Sequence, residues 1–178
     1  MKLKTRDMTL IAMMAALICV AGPLSVFVGP IPVTLSNFAV YLAAAVLGAK
    51  RGTISVALFL LIGAIGVPVF SGFTGGLQKL AGPTGGYLIG YLPGVFIGGL
   101  AVKDGQTSPE KKWLLPALLV AATLVIYILG TAWFVIQSGK TLAAALSLCV
   151  LPFLPGDALK IAAASLLAWP IRRAIYRK

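Results

Sequence analysis

The stretch that decides the fold is LPFLPGDALK, which runs from Leu151 to Lys160 and opens the last apolar segment of the chain. Asp157 is one of only four acidic residues, and it alone has long hydrophobic sequence on both sides. Pro155 suits the first turn of a helix, and Gly156 lets another group approach the backbone closely. On a helix, Asp157 and Lys160 lie three positions apart and share one face. Such a pair within apolar sequence indicates either a functional site or a structural ion pair that pins two helices.

The composition is that of an integral membrane protein. Of the 178 residues, 60% are hydrophobic and 11% are charged, whereas a soluble domain carries about 25% charged residues. The mean hydropathy is +1.01. The net charge of +11 does not indicate a nucleic-acid surface, because the basic residues sit at the ends of apolar segments, as topology signals do. With no histidine, and with Cys19 and Cys149 in apolar surroundings, a zinc, haem or Cys–His site is excluded.

Hydropathy and charge predict an all-α membrane protein. Six apolar spans are expected, at about 3–21, 37–47, 53–67, 85–102, 113–136 and 156–171. If both termini are cytoplasmic, 12 of the 15 Lys and Arg residues lie on that side, and only Lys79, Lys140 and Lys160 face outward. That bias follows the positive-inside rule. The expected fold therefore has six transmembrane helices with both termini in the cytoplasm.

The three connections on the predicted outer side are unusual for exposed loops. Residues 22–35 carry no charge and three prolines, residues 68–84 are rich in glycine, and residues 137–155 contain an apolar piece, 142–151, that is too short to span. Irregular backbone at membrane depth persists only where protein buries it or where it lines a cavity. We therefore expect irregular outward-facing loops that cap a ligand pocket level with Asp157.

Two stripes of small residues run along the predicted spans. Glycines recur at every fourth position of the fourth span: Gly86, Gly90, Gly94 and Gly98. They favour close packing against another helix of the same chain. On the first span, Ala12 and Ala16 form a second smooth face, which suits either internal packing or docking against another membrane protein.

Motifs for membrane-enzyme or nucleotide chemistry are missing from the sequence. The segment most similar to a phosphate-binding loop is Gly139-Lys140-Thr141, but Phe134 occupies the position where the motif requires its first glycine. There is no histidine, no paired carboxylate and no nucleophile beside a base. A small membrane protein that binds a ligand from outside, without an energy source of its own, is the interpretation that remains.

Three segments resemble one family. They are GPTGGYLIGY at Gly82–Tyr91, PIPVTL at Pro30–Leu35 and PGDALK at Pro155–Lys160, in the order and spacing of the BioY family. BioY proteins are the biotin-specific substrate-binding (S) components of energy-coupling factor (ECF) transporters. The resemblance covers nearly the whole chain, so we expect a single S-component domain over residues 1–178. It implies six helices, a pocket near the outer face and a short helix before the last span.

The resemblance also implies a function and partners. An S component in the cell membrane captures biotin outside the cell and delivers it inward together with a coupling transmembrane subunit and ATP-binding subunits. It is not an enzyme, needs no cofactor or metal and does not bind nucleic acid. The Ala-x-x-x-Ala motif that S components present to the coupling subunit matches Ala12 and Ala16, which raises docking above packing for that stripe.

The predicted biotin site combines the resemblance with the chemistry of the ligand. Asp157 accepts N–H bonds of the ureido ring, Lys160 donates to a ligand oxygen, and Tyr87 supplies a ring wall and a hydroxyl. The remaining predicted contacts are loop and turn residues: Thr34, Ser36, Asn37, Gln78, Thr84 and Gly85. The family often has glutamine directly after Thr-Leu of the first loop, where this chain has Ser36 followed by Asn37.

Alternative functions predict different behaviour. An S component for another small vitamin, such as riboflavin or thiamine, would saturate with that ligand rather than with biotin. A self-sufficient secondary carrier would accumulate biotin alone under an imposed proton or sodium gradient, and the scarcity of acidic residues argues against it. A membrane enzyme would require a nucleophile that the sequence does not supply.

Overall fold

The computed structural model describes residues 4–27, 32–102 and 113–176. Its elements are seven helices and two short strands: α1 (Thr5–Ala21), β1 (Ser25–Phe27), β2 (Pro32–Thr34), α2 (Ser36–Ala64), α3 (Leu77–Ala81), α4 (Gly85–Gly99), α5 (Leu114–Ser138), α6 (Leu142–Cys149) and α7 (Leu154–Tyr176). The polar segment 103–112, between the predicted fourth and fifth spans, falls outside the described residues. The protein is thus nearly all-helical, as predicted, and α6 lies where the short apolar piece was expected.

Helix α2 consists of two helical segments joined at Gly48. That residue has φ +79° and ψ −178°, a combination that glycine adopts because it has no Cβ. A Cβ placed on Gly52 would lie 3.1 Å from the carbonyl oxygen of Ala43, whereas nine residues of straight helix span about 13.5 Å. The chain therefore folds back at Gly48, in agreement with the predicted separation of the second and third apolar segments.

Fewer helices have the length and hydropathy of a membrane span than the sequence predicted. Ser36–Ala64 and Leu114–Ser138 are each long and apolar enough, and α6 with α7, bent by 51° at their junction, pass as a pair. Helices α1 and α4 have 17 and 15 residues, below the about 20 of a typical span. Across the three described ranges, two or three spans are supported, and the count of six stays a prediction.

The glycine stripe of α4 packs against α5, as expected. A Cβ on Gly86 would lie 2.3 Å from Cβ of Trp133, and a Cβ on Gly94 would lie 2.8 Å from the side chain of Ile126. Both distances are shorter than real Cβ contacts, so only glycine allows the two helices to approach this closely. The resulting close packing positions α5 as one wall of the site described below.

The connections that were predicted to lie on the outer side are more regular than expected. Strands β1 and β2 pair antiparallel with Ser25 opposite Thr34, so the all-α expectation is corrected by a two-stranded sheet. The glycine-rich second connection contains the one-turn helix α3 and packs against the first, since Gly72 N–H donates to the carbonyl oxygen of Pro23 (3.3 Å). These backbone bonds satisfy groups that an irregular loop near apolar surroundings would leave unpaired.

Cationic side chains from separate parts of the chain meet at the end of the bundle opposite Asp157. Arg51 forms an ion pair with Asp7 of α1 (3.1 Å) and donates to the hydroxyl of Tyr176 (3.2 Å). Tyr176 follows Asp157 by 19 positions in α7, or about 28 Å along a helix. The start of α1, the turn of α2 and the end of α7 therefore lie together, as the predicted topology requires.

The buried Arg172 holds this end of α7 against α2. Its side chain is 1% exposed and donates to the carbonyl oxygen of Val46 (2.5 Å). Val46 lies just before the break at Gly48, where the last carbonyls of the first helical segment lack helical partners. A guanidinium satisfies such carbonyls and interacts favourably with the helix dipole.

The predicted small-residue face of α1 is not used for internal packing. Ala12 and Ala16 are exposed, whereas Ile11, Met14 and Ile18 of the same helix are buried. Large apolar side chains flank the two alanines on the exposed side, with Met13 64% and Val20 69% exposed. This face of α1 is therefore open to lipid or to another membrane protein.

Candidate functional site

A cavity lies between α2, α4, α5 and α7 beneath the β1–β2 sheet. Aromatic rings and polar groups from these elements and from α6 line it: Pro32, Thr34, Ser36, Asn37, Phe59, Phe70, Ser71, Thr84, Tyr87, Leu88, Tyr91, Tyr127, Cys149, Phe153, Asp157 and Lys160. Its open volume is about 50 Å³, well below the about 300–1,000 Å³ of small-molecule sites. A vitamin-sized ligand therefore requires the lining side chains to move apart.

Asp157 is the anchor of the cavity. It lies in the first turn of α7, where a carboxylate interacts favourably with the helix dipole, and it is 3% exposed. Its Oδ1 accepts from Lys160 Nζ at 3.0 Å, and its Oδ2 accepts from the hydroxyl of Tyr127 at 2.6 Å. Each carboxylate oxygen has a second lone pair, so Asp157 can still accept N–H bonds from a ligand.

Lys160 joins the last helix to the sheet above the cavity. Besides the bond to Asp157, its Nζ donates to the backbone carbonyl oxygen of Thr34 at the end of β2 (3.1 Å). Two of its three ammonium protons are thus bound, and the third can reach a ligand oxygen. Asp157 and Lys160 are the charged side chains among the lining residues, and together they carry no net charge.

A row of hydroxyl groups continues from the sheet into the cavity. The hydroxyls of Thr34 and Ser36 are 2.5 Å apart, and Ser36 Oγ lies 3.3 Å from the hydroxyl of Tyr91. Tyr91 in turn donates to the side-chain oxygen of Asn37. Because this bond uses the amide oxygen, Asn37 keeps its NH2 group as a donor for a ligand.

Tyr87 occupies the wall formed by α4 and α5. Its hydroxyl lies 3.1 Å from Thr131 Oγ1, and its ring lies against Gly130, where a Cβ would come within 2.2 Å of the ring. The turn before α4 is held to α5 by Trp133, whose indole N–H donates to the carbonyl oxygen of Gly82 (2.9 Å). The GPTGGY segment is therefore rigidly placed beside the cavity.

Aromatic rings close the remaining apolar wall. Phe59 of α2 and Phe70 of the second connection pack edge to face with ring centroids 5.4 Å apart, an arrangement that adds about 0.5–1.5 kcal/mol to burial. Phe153, just before α7, is 7% exposed and belongs to the cluster around Tyr127. The cavity thus combines an apolar body with a few polar groups at one end, as small-molecule sites do.

Most of the predicted site residues come together in this cavity. Seven line it: Thr34, Ser36, Asn37, Thr84, Tyr87, Asp157 and Lys160. Gly85 is not among the lining residues. A Cβ there would lie 1.6 Å from the carbonyl oxygen of Leu80, so the glycine serves the turn between α3 and α4. Gln78 does not line it either, because it is exposed on α3.

Several lining residues were not predicted from the sequence. The most important is Tyr127, which binds Asp157 from a different helix, 30 residues earlier in the chain. Its only signal in the sequence was a tyrosine hydroxyl in the middle of the long apolar fifth span. Buried tyrosine hydroxyls usually have a hydrogen-bond partner. Tyr91 is the last residue of the GPTGGYLIGY segment. It follows Tyr87 by four positions, so a helix places both rings on one face.

Comparison with known proteins identifies the family. The BioY family model matches residues 1–177. A probable biotin transporter BioY of Pyrococcus horikoshii is 39% identical over 166 residues, covering 93% of this chain and 96% of that protein. The biotin transporter BioY of Thermotoga maritima is 42% identical over 159 residues, covering 89% and 90%.

The fold matches a solved structure as well. The S component for biotin from an ECF-type ABC transporter superimposes with a TM-score of 0.85 at 27% identity, covering 97% of this chain and 95% of that one. The relatives are transporters, which confirms the prediction that the chain is not an enzyme, and with the apolar helices they confirm an integral membrane protein. The chain belongs to the BioY family.

Proposed function

We propose that the chain captures biotin in the cavity around Asp157 and delivers it into the cytoplasm together with an ECF energising module. The observation that carries this proposal is the Asp157–Lys160 pair, buried beside aromatic rings in a cavity that the BioY family fold encloses. Full-length likeness to a biotin S component supports the same ligand and the same kind of partner.

The chemistry of the lining residues suits biotin. A ureido ring has two N–H donors and one acceptor oxygen, and Asp157 beside Lys160 offers complementary groups within hydrogen-bonding reach of each other (3.0 Å). Hydrogen bonds to charged groups are stronger than neutral ones, and more so where the groups are largely buried, as Asp157 is. The thiophane ring and the aliphatic tail are apolar, and Phe59, Phe70 and Phe153 offer apolar surface. Thr34, Ser36, Asn37, Thr84 and Tyr87 supply further polar contacts.

Entry of biotin requires the cavity to open, and the β1–β2 sheet is the part best placed to move. Its tie to α7 through a described side chain is the single hydrogen bond from Lys160 to the carbonyl oxygen of Thr34. If Lys160 turns to bind the ligand, that tie is released at little cost because the ligand oxygen replaces the carbonyl. The ammonium group of Lys160 would thus bind the sheet in the absence of biotin and the ligand in its presence.

We further propose six membrane spans with both termini in the cytoplasm of a cell-membrane protein. The fold-back at Gly48 supports two short spans within α2, and helices α1, α4, α5 and α7 supply the other four. The cationic cluster of Arg51 and Arg172 at the end opposite Asp157 supports a cytoplasmic position for that end. The cavity then faces the outside.

The exposed face of α1 is the proposed docking site for the coupling subunit. Ala12 and Ala16 are exposed four residues apart, and small residues at this spacing let a partner helix approach closely. We expect Ala12→Trp or Ala16→Trp to abolish co-purification with the coupling subunit while leaving biotin binding intact. Ala117→Trp, on an exposed alanine of α5, is the matched control. Unchanged co-purification of both α1 variants would mean that this face contacts lipid and not the coupling subunit.

Uptake by liposomes tests the transport proposal. Liposomes with this chain alone should bind labelled biotin without accumulating it, and those that also contain the coupling and ATP-binding subunits should accumulate it when ATP is supplied. Accumulation by the chain alone under a proton or sodium gradient would instead establish a secondary carrier. A panel with riboflavin and thiamine, each competing against labelled biotin, tests the ligand separately.

A further inference from the structure

A second opening lies in the half of the bundle away from the biotin cavity. It is a groove of about 690 Å³ between the end of α4, the start of α5 and the second half of α7. Its walls are Val102, Leu115, Pro116, Ala162, Ser165, Leu166, Ala168, Trp169, Pro170 and Arg172. This volume falls within the about 300–1,000 Å³ of ligand sites, unlike the volume of about 50 Å³ of the cavity around Asp157.

The groove exists because α7 changes neighbours along its length. At its start, α7 is joined to α5 by the bond from Tyr127 to Asp157 (2.6 Å). At its other end, Arg172 fastens α7 to the carbonyl oxygen of Val46 in α2 (2.5 Å). The two helices therefore separate below Tyr127, and nothing among the described side chains fills the space between them.

The walls of the groove suit hydrocarbon better than water. Leu166 on its rim is 76% exposed, and nearly all the lining is apolar. Water in such a space would lack the two to four polar partners that hold a buried water. In a bilayer, the apolar material at hand is a lipid acyl chain.

One end of the groove is basic and aromatic. Arg173 is exposed and lies over the ring of Trp169, with its guanidinium carbon 5.7 Å from the ring centroid. Arg172 also lies on the groove wall, but it is 1% exposed and donates to Val46, so Arg173 is the cation at the surface. Tryptophan is enriched at the membrane–water interface, and basic pockets between membrane helices bind anionic lipid headgroups.

We propose that the groove binds one acyl chain of an anionic phospholipid of the surrounding bilayer, with the phosphate beside Arg173. The acyl chain would fill the space that α5 and α7 leave between them, and the phosphate would lie beside the exposed guanidinium of Arg173. Such a lipid would brace α7 at the end opposite the biotin site. The inference does not depend on the ligand of the main cavity.

Fluorescence quenching by brominated lipids tests this directly, because bromine quenches only nearby tryptophans. The protein is reconstituted in phosphatidylcholine bilayers with a minor fraction of brominated phosphatidylglycerol, or with the same fraction of brominated phosphatidylcholine. Quenching should be greater with phosphatidylglycerol, and Trp169→Phe should remove the excess. Roughly one favourable Arg contact corresponds to about fivefold enrichment of the anionic lipid near the site.

Matched variants separate the charge from the groove. Arg173→Gln should abolish the preference for phosphatidylglycerol, while Lys50→Gln, which removes an exposed charge of α2 outside the groove, should preserve it. Ala162→Phe should reduce quenching by both lipids, whereas Ala174→Phe, on an exposed residue off the groove, should not. Cooperative thermal unfolding of each variant confirms its folding.

Three results would overturn the proposal. Equal quenching by the two lipids would remove the role of charge. A phosphatidylglycerol preference that survives Arg173→Gln would place the lipid elsewhere. Quenching of Trp169 by neither lipid would mean that a protein segment, not a lipid, fills the groove.

Discussion

Two ion pairs lie at opposite ends of this bundle, and they differ in what surrounds them. Asp157 and Lys160 (3.0 Å) border a cavity, and both retain unused hydrogen-bonding capacity. Asp7 and Arg51 (3.1 Å) line neither of the two cavities described above, and Arg51 donates a further N–H to Tyr176. A tyrosine hydroxyl meets each pair, Tyr127 at one end and Tyr176 at the other. We therefore propose that the same chemistry serves ligand binding at one end and helix attachment at the other.

The largest effect is expected from neutralising the acid of the cavity pair. Asp157→Asn should weaken biotin binding by about 2–5 kcal/mol, or roughly 30- to 5,000-fold, because it leaves the partly buried Lys160 without its counter-charge. Asp7→Asn should leave biotin affinity unchanged, since the pair at the other end contacts no ligand. Titration with biotin measures both. Equal losses in the two variants would mean that the cavity pair acts only through the fold.

Removing the cation of the Asp7–Arg51 pair should reduce the stability of the fold rather than ligand affinity. Arg51→Gln leaves the buried carboxylate of Asp7 without a cation and should lower the free energy of unfolding by about 1.5–3 kcal/mol, the value of hydrogen bonds to charged groups. The neighbouring Lys50→Gln should change it little, because Lys50 is exposed. Thermal unfolding in detergent reports both. If Arg51→Gln unfolds like Lys50→Gln, the distal pair does not hold the helices together.

The two tyrosines offer a finer test of the same contrast. Tyr127→Phe removes one hydrogen bond to Asp157 while keeping the ring, and Lys160 still holds the carboxylate. Biotin affinity should fall by about 0.5–1.5 kcal/mol, or roughly two- to twelvefold. Tyr176→Phe makes the same change at the distal end and should not alter affinity. A loss with Tyr176→Phe equal to that with Tyr127→Phe would contradict the division between the ends.

The smallest effect is expected at a residue that the sequence placed in the site. Gln78→Ala should change biotin affinity by less than about twofold, because Gln78 is exposed and makes no contact in the cavity, and exposed substitutions change little. Asn37→Ala, at a lining residue, should have the larger effect. A loss with Gln78→Ala that exceeds the loss with Asn37→Ala would mean that α3 closes over the bound ligand.

What the sequence predicted well depends on local patterns. Apolar length located the helices, and the short Leu142–Cys149 helix was visible as an apolar piece too short to span. The polar segment after Gly48 marked the fold-back of α2, and spacing by four located the glycine face that packs on α5. Asp157 and Lys160 share a helix face, so their contact also followed from spacing alone.

What escaped prediction depends on contacts between distant segments. The pairing of Ser25 with Thr34 could not be predicted, because each strand has only three residues and β2 begins with Pro32, which cannot donate a backbone hydrogen bond. Tyr127 meets Asp157 only because α5 and α7 approach each other at that level. Gly85 stands in the family-like segment, yet its role is the close approach to Leu80 rather than contact with the cavity.

Calorimetric titration of the ligand-free, detergent-solubilised protein with biotin is the most direct test of the central claim. We predict saturation at about one biotin per chain in the nanomolar range, roughly −12 kcal/mol at a Kd of 1 nM. The absence of any binding heat, from protein that unfolds cooperatively on heating, would contradict biotin as the ligand. The fold would stand, but the assignment of Asp157 and Lys160 to biotin would fall.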